Sequence, residues 1–199
     1  MSEQSPLSLG TEDIKKLLMR YAVPAIVAMT AASLYNMMDS IFIGHGVGAL
    51  GIAGLAVTFP FINLAAAFGS LVGVGASTLV SVKMGQKDLK SAEAVLGNVL
   101  LLNTVIGFLF MTVCLIFLDP ILYFFGASAD TLPYARDYMK VILYGNLITH
   151  IYMGLNEVMR ASGYPQRAMM ATLFAVLING VLNALFIFVL DMGIKGAAL

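Results

Sequence analysis

The feature that most constrains this chain is a stretch without charge that is too long for a soluble domain. No Asp, Glu, Lys or Arg occurs from residue 40 to residue 82, and further apolar runs continue to the last residue. A helix needs about 20 mostly apolar residues to cross a bilayer. The chain is 60% hydrophobic and 11% charged, whereas soluble domains carry about 25% charged residues. The sequence therefore predicts an all-α polytopic membrane protein.

Breaks in the apolar runs divide the chain into a bundle of five transmembrane helices and the start of a sixth. Glycines between residues 44 and 51 place a turn in the charge-free stretch, and Asp119-Pro120 ends the third helix. The segment PILYFFGASAD that follows predicts an interfacial piece. Because the sixth helix stops at Leu199, the pattern indicates an amino-terminal fragment. The predicted helices cover residues 14–43, 52–82, 94–118, 138–159 and 168–190, with the sixth from 193.

The loops between these helices differ in their content of lysine and arginine. Basic residues are concentrated at the amino end and in the second and fourth connections, and they are sparser in the first, third and fifth. Such a bias places the basic side in the cytoplasm. The sequence therefore predicts a plasma (inner) membrane protein with a cytoplasmic amino terminus. The basic residues on the predicted cytoplasmic side are Lys15, Lys16, Arg20, Lys83, Lys87, Lys90, Arg160 and Arg167.

Several classes of function find no support in the composition. The net charge is zero, which argues against a nucleic-acid partner. A single cysteine, Cys114, and two distant histidines give no metal cluster and no cofactor site. The string at residues 46–51 fits the dinucleotide pattern GxGxxG, but that pattern works only between a strand and a helix. An intramembrane protease would need paired aspartates, a Ser–His pair or a metal motif, so we expect no enzyme.

Asp39 is the most informative single residue. It is the only acidic residue between Asp13 and Asp88, and it lies near the predicted end of the first helix, where the helix dipole disfavours negative charge. A carboxylate inside a membrane helix costs on the order of 3 kcal/mol on insertion scales. Such a residue usually faces a cavity, pairs with a cation or takes up a proton. The alternative is a solvated aspartate at the membrane interface.

Four other polar residues are predicted to share the depth of Asp39. Tyr35 and Asn36 lie one turn earlier on the same face of the first helix. Asn179 and Asn183 share a face of the fifth helix, in the half of it that lies at the depth of Asp39. Buried amides often only join helices, yet the common depth favours one polar cluster that binds an ion or a substrate.

Two features of the fourth helix have simpler interpretations. Glu157 and Arg160 are three residues apart near its cytoplasmic end, and we expect an interfacial ion pair. His150 lies in the middle of the helix beside Thr149. It could relay protons, although a hydrogen-bonded core histidine is the more common case.

These segments resemble the multidrug and toxic compound extrusion (MATE) transporters over almost the whole chain. The stretch around Asp39 is similar to the family's first helix and loop. The stretch that contains Glu157 and Pro165 is similar to its fourth-to-fifth connection. The similar segments are LYNMMDSIFIG (34–44) with LGIAGLA (50–56), NEVMRASGYPQRAM (156–169), NGVLNALFIF (179–188) and GIKGAA (193–198).

The resemblance implies a fold, an activity and a set of site residues. Family members have twelve helices in two lobes, so this chain would be the amino-terminal lobe and its partner the missing carboxy-terminal lobe. They are antiporters in which sodium or protons drive the export of cationic amphipathic drugs. The family's coupling aspartate corresponds to Asp39, where sodium would bind, and its polar partners correspond to Tyr35 and Asn179. Asn183 departs from one branch of the family, which has a second aspartate there.

Two alternative functions remain open at this point. A lipid-linked oligosaccharide flippase of the same superfamily would need a cationic cavity for pyrophosphate, and apart from the lysines and arginines at the loops no basic residue lies inside a predicted helix. A non-transporting structural subunit of the membrane would differ from a transporter in binding no ligand.

The predicted orientation can be tested with single cysteines in a Cys114→Ala background. Cysteines replacing Gly46 and Asp191 should react with an impermeant thiol reagent added to intact cells. Cysteines replacing Lys87 and Gln166 should react only after the membrane is opened, because the basic loops are retained in the cytoplasm. Labelling at position 87 in intact cells would contradict both the orientation and the number of helices.

Overall fold

The structure is a computed structural model that describes residues 13–199. It is a helical bundle, and the described residues contain no β-strand. Short turns join most of the long helices, which makes consecutive helices antiparallel neighbours. The elements are α1 (Ile14–Gly46), α2 (Ala49–Gly85), α3 (Leu89–Ile116), α4 (Leu118–Phe124), α5 (Leu132–Ala161), α6 (Pro165–Ala184), a π-helical segment (Leu185–Val189) and α7 (Gly193–Ala198).

Four helices begin three to six residues before their predicted first residues. For two of the long helices, α1 and α3, a capping aspartate explains where the helix begins. Oδ1 of Asp13 accepts a hydrogen bond of 2.8 Å from the backbone N–H of Lys15 and caps α1. Oδ1 of Asp88 accepts one of 3.1 Å from the backbone N–H of Ser91 and caps α3. Hydrogen bonding from the side chain and the backbone N–H of Ser91 lowers the pKa of Asp88 from its ordinary value. The starts predicted at 52, 94, 138 and 168 lie instead at 49, 89, 132 and 165.

Helix ends also differ from the predicted ranges. The first helix was predicted to end at 43 and continues to Gly46, while α3 ends at Ile116 and the short helix α4 follows. The fifth predicted helix does not stay α-helical to residue 190. It changes to a π-helical segment after Ala184, where the N–H of Leu190 donates to the carbonyl of Leu185. The residues of this segment are all apolar and suit either helix type. The sequence pattern therefore does not distinguish a π-helical segment from an α-helix here.

The central helix of the bundle is α5, which packs against α2, α3, α4, α6 and α7. Its contact with α2 depends on residues without side chains. A Cβ atom on Gly73 would lie 2.8 Å from the Cα atom of Gly154, and one on Gly54 would lie 2.9 Å from Cβ of Tyr134. Small residues allow helix backbones to approach closely in lipid. The GxxxG pair of Gly69 and Gly73 is therefore used inside the bundle.

The interior contains two apolar clusters, and much apolar surface faces outward. The larger cluster includes Phe61, Leu122 and Leu143, and the smaller one contains Val80 and Val158. Many large apolar side chains are exposed on the outside of the bundle, as a lipid environment requires. Examples are Leu101, Phe108, Phe174, Leu177 and Val181.

Four of the described helices are long and apolar enough to cross a membrane by length and composition. These are Ile14–Gly46, Ala49–Gly85, Leu89–Ile116 and Pro165–Val189. The helix α5 is also long enough, but it is more polar than these four. Its polar side chains Asn146, His150 and Asn156 are buried within the bundle. A central position among apolar helices explains how so polar a helix is accommodated.

The two ends of the bundle differ in charge. One end, called here the basic end, comprises the start of α1 and the α2–α3 and α5–α6 connections. The eight basic residues that the loop analysis assigns to one side lie there. At the opposite end, Asp119 of α4 pairs with Arg136, and Asp137 lies 3.2 Å from Nζ of Lys195. The first ion pair joins α4 to α5, and the second joins α7 to α5.

The close contact of α2 and α5 predicts a contrast between two neighbouring glycines. Gly73→Ala places a methyl group against the backbone of Gly154, and overpacking of this kind costs about 1–3 kcal/mol. Gly75→Ala is the matched control, since its Cβ would meet no atom within 4 Å. Thermal unfolding in detergent should show a lower melting temperature for Gly73→Ala alone. Equal melting temperatures would contradict the packing of these two helices.

Candidate functional site

Asp39 lies inside the bundle, on a part of α1 that faces α5 and α6. Its exposed fraction is 5%, and α1 continues past it to Gly46. The carboxylate is therefore enclosed by helices and is not a solvated residue at a helix end. The sequence left that alternative open, because the helix was predicted to end at residue 43.

Two side chains from other helices bind the Asp39 carboxylate. Nδ2 of Asn183, on α6, donates to Oδ1 at 3.1 Å. The hydroxyl of Tyr138, on α5, donates to Oδ2 at the longer distance of 3.4 Å. Within residues 13–199, no lysine, arginine or histidine forms an ion pair with Asp39. A buried carboxylate with only neutral donors can still bind a proton or a cation.

Two buried amide oxygen atoms of α6 are unpaired, and one of them lies beside this carboxylate. Oδ1 of Asn183 is buried and has no hydrogen-bond donor in the described part of the chain. It belongs to the same amide that binds Asp39, so the two groups are adjacent. Oδ1 of Asn179, one turn earlier on α6, is likewise buried and unpaired. Hard cations bind oxygen ligands of this kind. A group of three or more His, Cys, Asp or Glu side chains that could hold a metal ion does not occur among residues 13–199.

Tyr35 connects the carboxylate to a cavity that is partly open to the outside of the bundle. It lies near both Asp39 and Asn183, and it also lines a cavity of about 550 Å³. Asn179 lines the same cavity. The cavity lies between α1, α2, α5, α6 and α7, and apolar residues such as Ile62, Val141 and Val176 form most of its wall. Its other polar lining residues are Asn146, Thr149, His150, Tyr152 and Thr172.

The structure brings together four of the five residues named from the sequence. Asp39 and Asn183 are in direct contact, Tyr35 lies near both and lines the cavity, and Asn179 lines the cavity one turn before Asn183. Asn36 is different, because it is exposed on α1 and does not line the cavity. At about 100° per residue, Asn36 and Tyr35 lie on opposite sides of Asp39 around the helix, so Asn36 faces away from the side on which Tyr35 meets the cavity.

Sequence reasoning missed Tyr138, which was assigned only as the first residue of the fourth helix. Its hydroxyl reaches Asp39 from 99 residues away, and no local pattern predicts such a contact. The depth of Tyr138 in the bundle could have indicated this contact, since helix ends on the same side of a bundle lie close together. The expected Glu157–Arg160 ion pair is not formed; Nε of Arg160 donates to Oδ1 of Asn156 at 3.0 Å.

A buried carboxylate, neutral donors from two other helices and an adjoining cavity within an apolar bundle define a polytopic membrane protein with an intramembrane polar site. Residues 24–185 match the profile of the MatE family. This match covers most of the chain, and the chain belongs to that family.

The chain is also similar in sequence to named multidrug export proteins. The chain is 29% identical over 199 residues to the multidrug export protein MepA of Staphylococcus haemolyticus, covering 100% of this chain and 44% of that protein. It is 28% identical to MepA of Staphylococcus aureus, covering 92% of this chain and 41% of that one. It thus spans less than half the length of the curated relatives it matches.

Solved structures show the same helix arrangement. A crystal structure of MATE in complex with MaD3S has a TM-score of 0.89 and 29% identity, with 97% of this chain and 43% of that chain covered. A transporter of the MOP superfamily from Pyrococcus furiosus, described as having a binding pocket of reverse polarity, has a TM-score of 0.90 and 29% identity. That match covers 97% of this chain and 42% of the other.

The hydrogen bond between Asn183 and Asp39 predicts a loss of stability on its removal. Asn183→Ala leaves Oδ1 of the carboxylate without its closest donor, and an unsatisfied buried group costs about 1–3 kcal/mol. The control is Asn98→Ala, at an exposed amide of α3, which should change stability by about 0.5 kcal/mol or less. Thermal unfolding of both variants checks this. If Asn183→Ala unfolds with the control, the bond does not stabilise the site.

Proposed function

We propose that this chain is the amino-terminal lobe of a secondary active multidrug exporter. It exports cationic amphipathic compounds in exchange for sodium or protons, by alternating access and without covalent chemistry. The observation that carries this proposal is the buried Asp39 carboxylate, which has no cationic partner in the described chain and adjoins a largely apolar cavity. The two relatives named as multidrug export proteins support the same class of substrate.

The proposed mechanism is competition for one negative charge. A proton or a sodium ion neutralises Asp39 when the external side is open. A cationic compound in the cavity gains from the same charge when it is unoccupied, so the two ligands displace each other through mutual linkage. Asn183 and Tyr138 remain hydrogen-bonded neighbours in both states and orient the carboxylate. Neither Asn179 nor Asn183 can ionise, so Asp39 is the only carboxylate of this cluster.

The orientation and the assembly belong to the same proposal. The basic end faces the cytoplasm of a plasma (inner) membrane, because lysine and arginine are retained on that side. The carboxy-terminal partner is a second lobe, since the chain spans 44% of its Staphylococcus haemolyticus relative. Transporter sites usually lie between two repeated halves. Small-molecule organic cations and the lipid bilayer are the other partners.

One specific feature weighs against an oligosaccharide flippase. The residues that line the cavity include no lysine, arginine or carboxylate. A pyrophosphate group would require basic side chains, whereas an apolar wall with hydroxyl and amide groups suits an amphipathic compound. A structural subunit would bind no such compound, so binding by the complete gene product separates that alternative from a transporter.

The decisive substitution is Asp39→Asn in the complete gene product that carries this chain. It removes the titrating charge while keeping the shape of the side chain, and it also removes the desolvation penalty of a buried charge. Coupled export should therefore fall to background although the protein inserts and folds. The assay is export of a cationic dye from proteoliposomes, with sodium and proton gradients imposed separately.

Asn183→Ala serves as the comparison in that assay. It deletes hydrogen bonds but no titrating group, so export should weaken less than in Asp39→Asn. Expression and melting temperature are measured for each variant to separate folding from transport. Export by Asp39→Asn at the wild-type rate, with unchanged dependence on both ions, would overturn the proposed mechanism.

A further inference from the structure

A pair of hydroxyl groups lies on the wall of the cavity, where Tyr152 of α5 meets Thr172 of α6. The two hydroxyl oxygens are 3.0 Å apart, and both residues line the cavity. The exposed fraction of Tyr152 is 36%, and Thr172 is half-buried. A compound in the cavity can therefore reach this pair.

The hydrogen bonds of Thr172 determine which group of the pair donates. Oγ1 of Thr172 lies 3.1 Å from the backbone carbonyl oxygen of Ala168, one turn earlier on α6, and donates to it. A hydroxyl group has one hydrogen atom. Because Thr172 has used its own, the hydroxyl of Tyr152 donates to Thr172. Oη of Tyr152 then has no hydrogen atom left, and it can only accept a further hydrogen bond.

The pair is separated from the Asp39 site along one face of α6. Thr172 and Asn179 are seven residues apart, which is nearly two turns and about 10 Å along the helix axis. Asn179 lines the cavity one turn before Asn183, which binds Asp39. The apolar residues 175 and 176, between the two positions, line the cavity as well. The cavity thus has one end near the carboxylate and another at the hydroxyl pair.

We propose that Oη of Tyr152 selects among cationic compounds by accepting a hydrogen bond from an O–H or N–H group that lies about 10 Å from the cationic group. This inference rests on the proposed export function and adds the class of compound. Asp39 responds to the charge at one end of the compound. Tyr152 responds to a donor at the other end, where a group without a hydrogen atom gains nothing.

The probes are two quaternary cations of nearly the same shape, para-hydroxyphenylbutyl-trimethylammonium and its para-fluoro analogue. They share the charge, and the quaternary nitrogen carries no hydrogen atom, so the hydroxyl is the donor in which they differ. Binding of each to the complete gene product in detergent is measured by calorimetry at pH 7. One hydrogen bond of ordinary strength predicts a preference of about fivefold for the hydroxyl compound.

Two substitutions break the same hydrogen bond between α5 and α6 but differ in the acceptor that they leave. Tyr152→Phe removes Oη, so the preference should disappear. Thr172→Val has a similar shape and leaves Oη in place, so the preference should remain. A merely structural bond between the helices would make the two variants alike. The control is Tyr144→Phe, at a tyrosine of α5 that is 66% exposed and does not line the cavity; it should bind both compounds as the wild type does.

A third substitution separates the charge from the donor. Asp39→Asn should weaken the binding of both compounds by the same factor, because it removes the charge and leaves Oη of Tyr152 unchanged. Equal binding of the two compounds by the wild type, an unchanged preference in Tyr152→Phe, or loss of the preference in Thr172→Val would overturn the role of Tyr152 alone. Binding of neither compound by the wild type would overturn the proposed binding function as well.

Discussion

The contact between α2 and α5 is the interaction on which the rest of the bundle depends. Backbone meets backbone at Gly73 and Gly154, and a bilayer offers no hydrophobic force to compensate for a gap between helices. Because α5 is held there, its opposite end brings Tyr138 to the carboxylate of α1 and its middle places His150 against the cavity. The cavity and the Asp39 site thus both depend on the position of α5.

Burial of Asp39 is made possible by distribution of its hydrogen bonds over two other helices. A carboxylate in hydrocarbon is costly unless donors or a cation compensate it. Asn183 and Tyr138 supply donors but no charge, so compensation is partial and no positive charge offsets that of the carboxylate. A lysine in place of either would offset that charge with a permanent ion pair. The incomplete pairing is therefore what makes an ion-binding role physically reasonable.

The sequence predicted the helical bundle and the depth of its polar residues, because both follow from local patterns of charge and apolarity. Asn179 and Asn183 were placed with Asp39 by depth alone, and the structure puts Asn183 in contact with it. What failed was geometry beyond one helix. The rotation of α1, which leaves Asn36 exposed, and the approach of Tyr138 depend on packing between distant segments. The π-helical segment after Ala184 is equally invisible, since apolar residues suit either helix type.

Tyr35 and Asn179 make the link between cavity and carboxylate a matter of direct contact. Each lines the cavity, and each lies within a turn of a residue that forms the Asp39 site. A compound in the cavity would meet both side chains, and Tyr35 is also a neighbour of the carboxylate. Coupling between ligands requires an element that both can bias. Tyr35 is near both the cavity and the carboxylate, so the two lie too close together for a long pathway through the bundle to be needed.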